Sequence, residues 1–407
     1  VGWFTGWFNL IGQIAVTAAI DYGAAVFATA VLNVIGIDIG TDRTAIFLVF
    51  VVILVAHAVL NAIGTRLSAL INNVSAWWHV AGVLIFVAVL GIGANHHQSA
   101  GFVFTKTVEN SAIGFGGVGF SFLLGLLHAQ YTFTGYDASA HMSEETHDAA
   151  RSAAKGIINT IVVSAVAGYL LILAVTFAIP NLDDALNPDK NSGYPVIFIL
   201  RNSLDSFWSG LLLIIAAVAQ LFCGYASVTA ASRMLFAFAR DGAVPGSAYW
   251  CRLSARKVPV HAVLFISFWA FVLLIPSMLV PAANAPTAYA AATSVATIGL
   301  YIAYGIPILL RQWHGARFTT GPWQLGTWYR PVGIISLVWI VVISVLFILP
   351  TDAKGFPWND GFTWNAVNYA PIALVAVVGA ITVWWLASAR RWFTGPRRTV
   401  DETSVPV

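Results

Sequence analysis

The run Leu127-His128-Ala129-Gln130-Tyr131-Thr132-Phe133-Thr134-Gly135-Tyr136-Asp137-Ala138-Ser139-Ala140-His141 brings hydroxyls, aromatic rings, a glycine and a carboxylate to the end of an apolar stretch. Glycine weakens a helix, and threonine hydroxyls can bond the backbone groups that it frees. A helix broken at membrane depth offers carbonyls and N–H groups to the ammonium and carboxylate groups of a small solute. The competing reading is an ordinary loop in which Asp137 caps the next helix.

Gln13, Thr17 and Asp21 recur every four residues and so share one face of a helix. Such a face either lines a solute path or forms interhelical hydrogen bonds. Gly12, Ala15, Ala19 and Gly23 make a second, small-residue face suited to close packing. Gln220 and Ser227 punctuate a later apolar stretch, where a hydroxyl often only bonds back to the preceding turn. His96-His97, and His141 with His147, lack the spacing and the accompanying cysteines or carboxylates of a metal site. Cys223 and Cys251 stand in an apolar segment and a polar loop, so no disulfide is expected. The phosphate loop GxxxxGK[ST], HExxH and GxSxG are absent, so neither an ATP-driven pump core nor a familiar membrane hydrolase is supported. No cofactor and no nucleic-acid partner are expected.

The elements that must hold these residues are long and apolar. The chain is 59% hydrophobic and 9% charged, against about 25% charged residues in a soluble domain. A membrane-spanning helix needs roughly 20 apolar residues. Such stretches run over 6–33, 45–63, 75–93, 118–136, 156–179, 207–239, 259–280, 287–310, 332–350 and 366–389. The fold class is therefore an all-α polytopic membrane protein with about ten transmembrane helices, whose lipid bilayer is its solvent. An even number of spans puts both chain ends on one side. With residue 1 in the cytoplasm, 15 of the 20 lysines and arginines fall inside, among them Arg151, Lys155, Arg240, Arg397 and Arg398. Arg43, Lys106, Lys190, Arg201 and Lys354 fall outside. The positive-inside rule supports that count and orientation, with both termini cytoplasmic.

Between spans, Ser143-Glu144-Glu145 reads as a helix start, with Ser143 as cap and the acids in the first turn. It predicts a short, charged surface helix to about Lys155, with Glu144 and Glu145 structural. Pro307 predicts a kink. Trp3, Trp7, Trp77, Trp78, Trp208, Trp328, Trp384, Trp385 and Trp392 gather near span ends, as an interfacial belt does.

Gly6-Trp7-Phe8-Asn9-Leu10-Ile11-Gly12-Gln13 resembles the third transmembrane helix of the amino acid–polyamine–organocation superfamily. The run from Phe133 to Thr146 resembles the sixth helix and following loop of its amino acid/choline transporter branch, which includes γ-aminobutyrate permeases. Ser232-Arg233 with Ala239-Arg240-Asp241-Gly242 and Pro245 resembles the end of the eighth helix. The resemblance implies a fold of two inverted five-helix repeats plus two extra helices. Mapped on, the ten spans are helices three to twelve: 1–93 the remainder of the first repeat, 118–311 the second, 332–390 the two extra helices and 391–407 a cytoplasmic tail. Helices one and two are then absent, which fits a start at Val1 with no signal-peptide features. With half of the site missing, residues 1–407 alone are expected to transport poorly.

The resemblance further implies a substrate site on Tyr131, Phe133, Thr134, Gly135, Tyr136 and Asp137. The backbone near Phe133 and Thr134 would accept from a substrate ammonium, Tyr131 and Tyr136 would be walls or gates, and Asp137 would hold the unwound segment or join proton coupling. Thr5, Gly6, Gln13 and Ser227 are further candidates. Gly82 stands where some relatives carry a coupling lysine, so that device is not expected. The loop 180–206 resembles an extracellular lid. The function implied is a plasma-membrane secondary transporter for an amino acid or related amine, coupled to an ion, in particular a proton. The alternatives are a channel or scaffold without coupled transport, or a membrane-embedded enzyme; one polar stripe and no facing cluster of acids or histidines speak against both.

Overall fold

The computed structural model describes residues 1–40, 42–108, 117–279, 285–351 and 353–396. Arg397 and Arg398, with the rest of the expected tail, lie outside them. The described residues form α1 (Gly2–Val34), α2 (Arg43–Ile63), α3 (Thr65–Gly93), α4 (Ala100–Thr105), α5 (Gly117–Phe133) and α6 (Ala138–His141). Then come α7 (Ala149–Phe177), α8 (Leu182–Leu186), α9 (Pro188–Asn191), α10 (Pro195–Ser203) and α11 (Ser206–Arg240). The chain closes with α12 (Ser247–Trp250), α13 (Val260–Leu274), α14 (Pro276–Leu279), α15 (Ala285–His314), α16 (Tyr329–Ile348) and α17 (Ala370–Ala387).

Nine helical stretches among the described residues are long and apolar enough to cross a bilayer. The helix of the expected span over 118–136, α5, is described over Gly117–Phe133. It stops at Phe133 because Gly135 turns to φ +90°, a left-handed conformation that glycine adopts without steric cost.

Helix α1 is the axis of the bundle, packed by α2, α11, α13 and α15. Its small residues allow this. A Cβ on Gly299 of α15 would stand 3.0 Å from the Phe8 carbonyl oxygen and 3.1 Å from Gly12 Cα. One on Gly12 would stand 2.7 Å from Leu300 Cγ. The two backbones touch, as small-residue helix crossings in membranes do. The bundle is apolar outside as well as inside: α7 exposes Val162, Val163, Val166, Tyr169 and Leu170. A surface of that kind is solvated by lipid chains rather than by water.

Two local expectations need correction. Ser143–Glu145 is a 3₁₀ turn with no side-chain cap, and residues 149–155 belong to the long α7 rather than to a separate surface helix. Asp148 breaks the chain there at φ 48°, where an N-cap on Ser143 would have needed helix from 144 onward. Glu144 is structural: its carboxylate lies 2.9 Å from Arg240 Nη1 at the end of α11. Trp3 is not an interfacial belt residue. It is fully buried, with ring centroids 4.8 Å from Trp384 and 5.3 Å from Phe393. That cluster fastens the start of α1 to the end of α17, so both lie at one end of the bundle. Helix α15 runs through Pro307 without interruption.

Candidate functional site

The break between α5 and α6 is the centre of the site. Thr134 stays attached to the end of α5, its N–H donating to the Tyr131 carbonyl at 3.0 Å and its hydroxyl to the Gln130 carbonyl at 2.8 Å. Beyond Gly135 the chain restarts when Ala138 N–H donates to the Gly135 carbonyl at 3.1 Å and Ala140 N–H to the Asp137 carbonyl at 2.8 Å. Phe133 and Thr134 contribute no carbonyl to these bonds. The Gln130 side chain anchors the α5 side, its Oε1 accepting from the Tyr301 hydroxyl at 2.7 Å and from Trp339 Nε1 at 3.2 Å.

Asp137 anchors the other side. It is buried, where a carboxylate is costly unless bonded. The Tyr304 hydroxyl donates to Oδ1 at 2.6 Å, His141 Nε2 lies 2.9 Å from Oδ2, and Asn9 Nδ2 donates to Oδ2 at 3.5 Å. Asp137 is thus a junction of three elements, not a helix cap: its side chain makes no capping bond. His141 Nε2 also lies 3.2 Å from Gln13 Nε2. One ring N–H cannot serve the carboxylate and accept from an amide; turning the Gln13 amide over presents its oxygen instead, and both contacts become favourable. The Tyr136 ring lies against Tyr304, with centroids 4.6 Å apart.

The α1 stripe divides. Asn9 and Gln13 serve the break, whereas Thr17 bonds its own helix through the Gln13 carbonyl at 2.9 Å. Asp21 lies eight residues beyond Gln13, about 12 Å along the axis, and its Oδ1 is 3.0 Å from His57 Nδ1 of α2. Tyr131 links the two levels. It precedes the break, its hydroxyl is buried without a partner, and it lies within electrostatic reach of Asp21, Cys223 and Tyr289. In the loop before α10, Tyr194 packs against the same cluster and hydrogen-bonds Tyr22. Burial pushes the Tyr194 phenol above its ordinary range.

The structure therefore brings Tyr131, Phe133, Thr134, Gly135, Tyr136, Asp137 and Gln13 together. It does not bring the other three to the break. The Thr5 hydroxyl bonds back to the Val1 carbonyl at 3.3 Å. Gly6 admits the Phe238 ring, 2.2 Å from where a Cβ would be. The Ser227 hydroxyl bonds the Cys223 carbonyl of its own helix at 3.0 Å. Gly82 faces Ile215. Sequence reasoning missed Asn9, His57, Gln130 and Tyr304. Asn9 is one step earlier on the Gln13 stripe, and His57 is an ionisable group inside an apolar helix; both signals were present. No group of three or more metal-ligating side chains stands together among the described residues.

Residues 1–378 match the model of the family described as amino acid permease. Amino-acid permease BAT1 of Arabidopsis thaliana is 39% identical over 97% of this chain and 76% of its own length. Its homolog in Oryza sativa subsp. japonica is 37% identical over 98% of this chain and 77% of its own. An uncharacterized amino-acid permease of Schizosaccharomyces pombe is 30% identical over 99% and 72%.

Proposed function

Because this chain belongs to the amino acid permease family, we propose that it is a secondary active transporter of amino acids or related amines such as γ-aminobutyrate, driven by a proton gradient. Membership and the apolar helices make it a multi-pass membrane transporter for amino acids or amines. The finer reading places it in the plasma membrane with both termini cytoplasmic, which the lysine and arginine bias supports. Residues 1–93 are read as part of one repeat, 118–311 as the second and 332–390 as two added helices.

The observation that carries the reading is the interrupted helix at Thr134–Asp137, held open by side chains from α1 and α15. Unwound backbone in a membrane is tolerated where it is buried in protein or lines a cavity, and at such breaks transporters bind solutes. The carbonyls of Phe133 and Thr134 accept the substrate ammonium. Tyr131 and Tyr136 form aromatic walls, and Asp137 with His141, Asn9 and Gln13 fixes the shape of the break. Rocking of one helix group against the other then exposes the site alternately.

The test is uptake of labelled solutes by the full-length gene product in proteoliposomes under an imposed proton gradient. The panel holds γ-aminobutyrate, several α-amino acids, a polyamine and choline. Saturable, gradient-dependent uptake of one class supports the reading. Correctly folded protein that moves none of them moves the reading to a channel or scaffold.

A further inference from the structure

About 12 Å from the break along α1, a second ionisable pair is closed off from water. Asp21 is 0% and His57 4% exposed, with Nδ1 3.0 Å from Oδ1. The groups around it are few. Tyr22 adjoins on α1, Tyr131 reaches it from α5, Cys223 and Tyr225 from α11, and Tyr289 from α15. Helix α13 also packs on α1 and α2, but its titratable side chain, His261, stands at its far end against Tyr249. Arg201 is committed to the Ala30 carbonyl, nine residues further along α1.

Room for the pair comes from Gly224. A Cβ there would stand 1.9 Å from Asp21 Oδ1 and 2.8 Å from His57 Cε1. Two oxygens in this neighbourhood have no partner: Asp21 Oδ2 and the Tyr131 hydroxyl. A buried carboxylate serving structure alone must have its lone pairs satisfied to offset desolvation; this one leaves Oδ2 bare. Aspartate and histidine together inside a transmembrane bundle are the chemistry of a proton relay.

We infer that Asp21 and His57 form the binding site of the coupling proton. The inference rests on the proton-driven reading above. One proton is taken up on the Oδ2 side of the carboxylate, forming an O–H bond, and is released by breaking that same bond when the site faces the other compartment. Charge at Asp21 is thereby neutralised while the pair is enclosed, which lowers the cost of carrying it through an apolar interior. Tyr131 gives the coupling its route: it lies within electrostatic reach of Asp21 and stands two residues before the end of α5, where the break begins.

The experiment compares two modes in proteoliposomes holding the full-length gene product and a labelled solute that the wild type takes up. One mode is accumulation driven by a pH gradient; the other is counterflow at equal pH, which needs binding and alternation but no net proton. Asp21→Asn keeps the size of the side chain and a bond to His57. It is expected to lose accumulation above equilibrium while retaining counterflow that no longer depends on pH. His57→Gln is expected to behave likewise, and it replaces Asp21→Asn if that variant does not reach the membrane. Gradient-driven accumulation unchanged in a folded variant overturns the assignment, as does loss of counterflow together with accumulation. A wild type with saturable uptake indifferent to the pH gradient instead removes proton coupling itself, whatever the variants do.

Discussion

The Asp137 carboxylate and the Tyr304 phenol meet at 2.6 Å although 167 residues separate them in the chain. This bond joins the broken helix to α15. Its strength comes from charge assistance and burial, which make such bonds short and costly to remove.

Tyr304→Phe therefore removes the donor and leaves Oδ1 bare. The cost of an unsatisfied buried acceptor is about 1–3 kcal/mol, more when it is charged. The variant is expected to melt earlier in detergent and to transport slowly. Tyr301→Phe is expected to do less to Asp137, because its hydroxyl serves Gln130 instead. Equal melting of Tyr304→Phe and wild type would show that the bond is not holding the break.

Gly135→Ala should cost activity out of proportion to its size. At φ +90° an alanine is strained by roughly 1–2 kcal/mol, and the segment relieves that strain by shifting the break. Gly125 is the control: it lies within α5, and a Cβ there meets nothing within 4 Å. Gly125→Ala is expected to leave uptake unchanged and to stabilise α5 by up to about 1 kcal/mol. If the two variants transport alike, the conformation of Gly135 does not matter to the site.

At the α1–α15 crossing, Gly299→Ala drives a methyl into the Phe8 carbonyl and the Gly12 backbone. Backbone cannot swing aside as a side chain does, so the helices must separate. Overpacking of this kind costs about 1–3 kcal/mol. Because both Asn9 of α1 and Tyr304 of α15 reach Asp137, separation also loosens the site. Lower thermal stability with reduced solute affinity is the expected result; a stable variant with normal affinity would count against a tight crossing.

Much of this could be read before any coordinates. Apolar runs long enough to span lipid locate the helices, since a membrane leaves the backbone no other way to satisfy itself. Thr134-Gly135 marks the break, because glycine beside a hydroxyl is the local chemistry of an interrupted helix. What was not legible is pairing across distance. Asp21 stands out in an apolar helix, but nothing local says that its partner is His57 rather than a cavity. Likewise Tyr304 looks like any tyrosine of α15 until the fold sets it on Asp137. Ser143 misled for the opposite reason: its capping chemistry is real but the chain does not turn helical there, since α6 and the turn after it are placed by contacts with α7 and α11.

Cys223 offers a direct view of the site. Its thiol is exposed although it sits in the middle of an apolar helix, and it lies within electrostatic reach of both Asp21 and Tyr131. A solute seated at the break against Tyr131 would crowd this thiol, which lies within electrostatic reach of Tyr131. In a Cys251→Ser background, which removes the other free thiol, a small water-soluble thiol reagent is expected to label Cys223. Saturating substrate should slow that labelling, and a non-transported solute should not. The concentration giving half protection should match the one giving half-maximal uptake. Labelling that proceeds at one rate with and without substrate would place the solute away from Tyr131, and the aromatic wall assigned to that residue would have to be sought elsewhere.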